Sequence, residues 1–317
     1  MQDPFTGQAT VLQGGRQPGA DVQAALQHDH ERRLEAFARL GAAATKVGIG
    51  ADPDDTLVLW EDDELSLLTD ADELWHELDE AARAFRKTLP IVPLEAFGFP
   101  GDDHEDPMGE GSPFLRRIGS GVEASAFQSV HDGSIYKFYL PREEGRIGGT
   151  FSFSRATPAD GLDAPALHAE ACLGSYRDLL EKLALILALD GMPTEVVGVT
   201  PEGVLVAKQV LGERLPEGED VSELLPGSLI PIPARFLRAH RDHPRLAFVK
   251  GRPWFVADTH AKNLVRDTNG RLRVIDLLAA PFPSELAAQD PLMHDWLARV
   301  ALDPTAGLLQ AAHDDEL

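Results

Sequence analysis

Cysteine is almost absent. Cys172 is the only one in 317 residues, so no disulfide can form within the chain, and a reducing, cytoplasmic setting is expected. Long apolar runs are lacking as well. Stretches such as Leu183–Leu189 fall far short of the roughly 20 residues that span a bilayer, so no membrane partner is expected. There is no internal repeat and no heptad pattern, and the opening Met-Gln-Asp-Pro-Phe does not have the form of a signal peptide. The absence of a Gly-x-Ser-x-Gly elbow and of a P-loop sequence removes the corresponding hydrolase and nucleotidase readings. His28-x-His30 and His240-x-x-His243 have no second ligand pair, so they read as surface histidines and not as metal sites. Positive charge is scarce too: 29 Lys and Arg face 52 Asp and Glu, a net charge of −23. Most of that excess lies in residues 1–110, which makes a nucleic-acid partner unlikely on electrostatic grounds and favours a solvated module or a basic protein partner.

With 43% hydrophobic residues the chain can bury one sizeable core or two modest ones, and two domains are expected. Residues 21–46 carry Val22, Leu26, Leu34, Phe37 and Leu40 in a helical pattern, and residues 56–60 read as a short strand. Leu74, Leu78, Ala81, Phe85 and Leu89 mark a second helix over 70–89, opened by the capping pattern Thr69-x-x-Asp72. Glycine, proline and acidic residues over 98–113 read as a linker, and the glycine- and serine-rich residues 141–165 as a flexible insert. A Leu- and Ala-rich helix is expected over 164–190, ended by Gly191 and Pro193 and carrying Cys172. Arg235, Arg238, Arg241, Arg245, Lys250 and Arg252 read as a solvated helix face and its flank.

The residues that suggest chemistry are concentrated downstream. Asp258 and Asn263 are separated by four residues, and a strand-turn-strand (264–266, Asp267-Thr-Asn-Gly270, 272–275) then brings Asp276 back to the same place. A phosphoryl group in transfer carries charge on its equatorial oxygens. A protein therefore contributes mainly positioning and Mg²⁺, and the metal needs oxygen ligands. Asn263 and Asp276 are the expected metal ligands, and Asp258 the group that orients, or takes the proton of, an attacking hydroxyl. Upstream, strands over 114–118 and 126–130 flank a loop of small residues that includes Gly119, Ser120, Gly121, Val122, Glu123 and Ala124. Backbone amides there can approach phosphate oxygens closely, and Lys137, on the next strand (135–140), can reach the same phosphates. Glu181 on the expected helix is the candidate partner of Lys137, with Glu170 as its rival.

In order and spacing these features resemble the protein-kinase-like superfamily over about Phe114–Leu278, adding a strand pair (195–200 and 204–210) and a hinge at which Gln209 and Val210 would hold nucleotide. The chain departs from the family pattern in several places. Val-Ala-Asp258 replaces His-Arg-Asp, Asp276-Leu-Leu replaces Asp-Phe-Gly, and no Ala-Pro-Glu follows. Loss of that arginine implies that regulation by a phosphorylated activation loop is absent. The form Asp258-x-His260-x-x-Asn263 looks more like the atypical prokaryotic and phage branch, seen in aminoglycoside and choline phosphotransferases and in the kinase domains of polyvalent proteins, where His260 would stabilise the loop. About 40 residues follow Asp276, which resembles the compact polyvalent type. The resemblance implies an α+β, two-lobed kinase-like fold with a reduced C-lobe, preceded by a small, mostly helical acidic module. The implied parts are the module (1–97), a linker (98–113), the N-lobe (114–211) and the C-lobe (212–317). The function implied is ATP- and Mg²⁺-dependent transfer of a γ-phosphoryl group to a hydroxyl of a protein or small molecule. The alternatives are a catalytically weak pseudokinase acting as a nucleotide-binding interaction module, and a nucleotidyl (AMP) transferase on the same fold.

Overall fold

Buried side chains at Leu26, His30, Arg33, Phe37, Leu40 and Ala44 recur every three or four residues and make Ala20–Lys46 a helix with one inward stripe. The computed structural model describes residues 12, 19–48, 73–100, 108–109, 111–142, 146–155, 167–216, 221, 228–237 and 244–306. Their elements in chain order are α1 (Ala20–Lys46), α2 (Glu73–Arg86), β1 (Leu115–Ser120), β2 (Ala124–Ser129), β3 (Ile135–Tyr139), β4 (Gly149–Arg155), β5 (Leu167–Leu173), α3 (Tyr176–Ala188), β6 (Thr194–Val199), β7 (Leu205–Gln209), β8 (Glu213–Arg214), β9 (Ile230–Pro231), β10 (Arg245–Val249), β11 (Arg252–Ala257), β12 (Leu264–Arg266), β13 (Leu272–Val274), β14 (Leu278–Pro281) and α4 (Pro291–Leu302). The fold is thus mixed α and β, with helices and several antiparallel sheets. Among the described residues no helix is long and apolar enough to cross a membrane.

The chain divides into two compact units. The first comprises Met1–Gly148, Ser175–Leu187 and Pro193–Leu211. Its five-stranded antiparallel sheet has the order β1-β2-β3-β7-β6. Every residue of β3 is buried, as expected for a central strand covered on both faces. Tyr136 and Phe138 point to one side, into an aromatic cluster in which Phe97 and Phe127 meet Phe138 edge-on at 5.1 and 5.4 Å between centroids. Tyr139 points to the other side, into a core built by α1, α2 and α3, where Phe37 meets Phe85 at 5.4 Å. The described helices of residues 1–97 therefore share one core with the sheet. Within 98–113, Phe99 and Met108 are buried in the aromatic cluster. Gly98 has φ 78°, and a Cβ there would strike the Phe114 ring at 2.7 Å, so only glycine fits.

The second unit comprises Gly149–Gly174, Ala188–Met192 and Gly212–Leu317. It contains the sheet β14-β11-β10-β9, the sheet β13-β12-β8 and the hairpin β4-β5. Lys250 (φ 52°) and Gly251 (φ 76°) form the two-residue turn between β10 and β11, the geometry that matches strand twist. Phe255, Phe282, Met293, Trp296 and Val300 fill the core under α4. Asp290 caps α4 by accepting from the Leu292 and Met293 amides, with Pro291 following it. The β12–β13 turn closes on Asp267. Its carboxylate accepts from the Asn269 and Arg271 amides at 2.7 and 3.0 Å and from Arg273 Nε at 2.8 Å, while Arg273 also donates to the Asp190 carbonyl at 2.8 Å.

Three expectations are corrected. The helix anticipated over 164–190 begins only at Tyr176, because Leu167–Leu173 is strand β5. Leu167 and Ala169 are buried and Glu170 is exposed in a period-two pattern set by pairing with β4, and Cys172 is an exposed strand residue. Ser175 and Asp178 then start the helix reciprocally, each backbone amide donating to the other's side chain, at 2.9 and 3.2 Å. The insert over 141–165 contains strand β4, whose Phe151 and Phe153 pack on Phe255 at 4.8 and 5.3 Å. The basic residues from 235 onward do not form a helix face, since Arg245 and Arg252 lie on strands. The strand expected over 56–60, the cap Thr69-x-x-Asp72, His240, His243, Arg238 and Arg241 lie outside the described residues.

His30 is buried and not a surface histidine; its Nε2 lies 3.1 Å from the Thr194 carbonyl. Burial, reinforced by nearby Arg33, lowers its pKa from 6.5 to about 4 against the opposing effects of Thr194 and Asp29. Between those values the unfolded chain binds a proton that the folded chain does not. Folding stability should therefore fall by about 3 kcal/mol as pH drops from 6.5 toward 4, and this contribution is constant above 6.5. Chemical denaturation across that range should show a flatter pH dependence for His30→Gln; an unchanged slope would clear His30 of the effect.

Candidate functional site

In the second unit, two ladders bring the downstream polar residues to one end. β11 pairs with β14 antiparallel, with Ala257 opposite Leu278, so Asp258 just beyond β11 and Asp276 just before β14 lie at the same end of that pair. In the β12–β13 hairpin, Leu264 pairs with Val274, and the ladder continues with the Ile275 amide donating to the Asn263 carbonyl at 2.9 Å. That bond sets Asp276 next to Asn263 along the backbone. The sequence reading of this hairpin, including its Asp-Thr-Asn-Gly turn, matches the structure.

Asp258 adopts a left-handed conformation, φ 63°, which costs a non-glycine residue energy unless neighbours hold it. Asn263 supplies that hold. Its Nδ2 donates to the Asp258 carbonyl at 2.9 Å and to Asp258 Oδ2 at 2.8 Å. Both acceptors are oxygens, so the amide can be oriented only one way, and both its hydrogens are used. The unused valence of that side chain is Oδ1, an oxygen suited to a hard cation. His260 Nε2 lies 2.8 Å from the other Asp258 oxygen. Asp276 Oδ1 accepts the Leu277 amide at 3.0 Å. Among the described residues no three His, Cys, Asp or Glu side chains gather as a metal cage. A metal here would have to rely on Asn263 and Asp276 together with oxygens from a ligand and water, the way Mg²⁺ is commonly held.

In the first unit, the small-residue loop is shorter than the sequence suggests. Gly119 and Ser120 end β1 and Ala124 opens β2, leaving Gly121, Val122 and Glu123 as the turn, closed by the Gly121 amide donating to the Ala124 carbonyl at 2.8 Å. The Val122 carbonyl accepts from Arg142 Nη2 at 2.7 Å, and the Glu123 carboxylate pairs with Lys182 of α3. Lys137 is buried at the centre of β3, two residues from Tyr139 and so on the sheet face that α3 covers. Glu181 is buried on α3 and accepts from Arg177 Nε at 3.2 Å. Its rival Glu170 is exposed on β5 in the other unit. The Gln209 side-chain amide donates to Thr194 Oγ1 at 2.7 Å, and Val210 is buried.

No protein-family model, curated protein or solved structure matches the chain. Sequence reasoning missed Lys182, which is 1% exposed. Its signal was present: Leu179, Lys182 and Ile186 follow helical spacing, so a lysine stands in an apolar stripe.

The fold itself makes no demand for glycine at Gly119 or Gly121. Neither has positive φ; a Cβ at Gly119 would meet nothing within 4 Å, and one at Gly121 only the Ala124 carbonyl at 3.7 Å. Alanine at either position should leave thermal stability unchanged or raise it by up to about 1 kcal/mol through the unfolded chain. A clear fall in melting temperature would instead make these glycines structural.

Proposed function

We propose that this chain is an ATP- and Mg²⁺-dependent phosphotransferase with a kinase-like fold, moving a γ-phosphoryl group to a hydroxyl of a protein or small molecule. The observation that carries the reading is the Asn263 side chain, whose two N–H groups hold Asp258 and leave its oxygen over, while the Ile275 amide on the Asn263 carbonyl sets Asp276 next to it along the backbone. A phosphoryl-transfer site needs that combination: a carboxylate fixed to orient the attacking hydroxyl, and two oxygen ligands for one cation. His260 braces the same carboxylate from its other oxygen.

In this reading Asn263 and Asp276 hold Mg²⁺, which when bound neutralises charge on the phosphate oxygens. Lys137, buried on β3 and assigned Glu181 as its partner, and the backbone around Gly119, Ser120, Gly121, Val122, Glu123 and Ala124 hold the phosphates. Because the Gln209 side chain is committed to Thr194, main-chain groups at Gln209 and Val210 are assigned to the base. The open space over Gly119 supports an approach of phosphate to backbone there.

The test uses ATP labelled at the γ or the α position, with Mg²⁺ and cell lysate as the source of acceptors. The wild type should transfer γ-label only, and Asp276→Ala should lose about a hundredfold or more of that transfer while melting within a few degrees of the wild type. Incorporation of α-label, or full transfer by Asp276→Ala, would contradict the proposal. Gly119→Ala, stable as argued above, should bind ATP about tenfold more weakly, a loss of roughly 1.4 kcal/mol; unchanged affinity would remove that position from the site.

A further inference from the structure

We propose that the Glu123–Lys182 ion pair is a clasp that positions the glycine turn for phosphate, making Lys182 a positioning residue. This deepens the phosphotransferase reading and rests on it. Lys182 stands where a leucine would pack, among Leu179, Leu183 and Ile186, and is 1% exposed. An ammonium so placed is unfavourable without a counter-charge. The ammonium lies 5.8 Å from the centroid of the Tyr139 ring and pairs with the carboxylate of Glu123, 59 residues earlier in the chain. α3 thus spends a core position on a charge that reaches the β1–β2 turn.

Beyond the Gly121–Ala124 backbone bond that closes it, the turn is fixed by side chains. Val122 is 81% exposed, so apolar packing does not anchor the tip. Polar contacts hold it at two adjacent residues instead, Arg142 on the Val122 carbonyl and Lys182 on the Glu123 carboxylate. The pair also resolves an electrostatic conflict. A bare carboxylate in a turn that receives phosphate would repel it, and Lys182 cancels that charge where it stands. Lys182 acts through Glu123 and the turn, without being assigned to the nucleotide itself.

Two readouts test the clasp, hydrogen exchange of the Val122, Glu123 and Ala124 amides in ligand-free protein, and the dissociation constant of MgATP. Lys182→Met should speed exchange and weaken MgATP binding, each by about tenfold, because it frees the turn and bares Glu123. Glu123→Gln should speed exchange to a similar degree with a smaller loss of affinity. The double variant should bind MgATP like Glu123→Gln and better than Lys182→Met, while Lys182→Arg should stay close to wild type. Unchanged exchange in Lys182→Met and Glu123→Gln would overturn the clasp. Faster exchange with unaltered MgATP affinity would reduce it to a structural contact and overturn the positioning role. Should Lys182→Met not fold, Glu123→Gln, which lies on the turn, decides the matter by the same two readouts. A wild type that does not bind MgATP would overturn the phosphotransferase reading and the positioning role with it, while loop exchange would still show whether the clasp exists.

Discussion

One side-chain amide, that of Asn263, holds the candidate site together. Asn263 uses both N–H groups on Asp258, one on its carbonyl and one on its carboxylate, and so stabilises a left-handed residue that would otherwise be strained. The same bonds aim the carboxylate and leave the Asn263 oxygen for something else. Everything proposed for the second unit follows from that division of the amide into a brace and a ligand. The hairpin behind it, locked at its turn by Asp267 and Arg273, makes the position of Asp276 relative to Asn263 a matter of backbone register and not of loop conformation.

Buried charge is used in two ways in this protein. Arg273 with Asp267, and Lys208 with Asp132 and the Tyr136 ring, tie turns to strands. They account for themselves as braces, because each ties a turn to a strand of its own sheet. Lys182 with Glu123 ties a helix to a turn of the sheet, and Lys137 and Glu181 are each buried. A fold that needed only stability would fill such helix-facing positions with apolar side chains at equal or lower cost.

What could be read from the sequence depended on how local the determining physics was. The β12–β13 hairpin was legible because Asp-Thr-Asn-Gly fixes a turn chemically, and β3 because Ile-Tyr-Lys-Phe-Tyr follows the turn signal His131-Asp-Gly-Ser134, although its complete burial was not. β5 was not, since Leu-His-Ala-Glu-Ala-Cys-Leu is rich in helix formers and becomes a strand only by pairing with β4; the Ser175-x-x-Asp178 start signal would have marked the true boundary. The acidic composition of residues 1–97 gave no hint that α1 and α2 complete the core above the sheet. At the candidate site, the neighbourhood of Asn263 and Asp276 was legible in the turn. The amide bridge to Asp258 was not, because it depends on a backbone conformation that no spacing rule announces, and the Glu123–Lys182 pair was hidden by its separation along the chain.

The central claim, that Asn263 and Asp276 share one cation at a bound nucleotide, is tested most directly by electron paramagnetic resonance of Mn²⁺ titrated with ATP and protein. Wild-type protein should give a distinct signal for a protein-bound Mn²⁺–ATP complex, and Asn263→Ala and Asp276→Ala should each weaken that complex while leaving the protein folded. The same signal with the same midpoint in all three proteins would contradict the account.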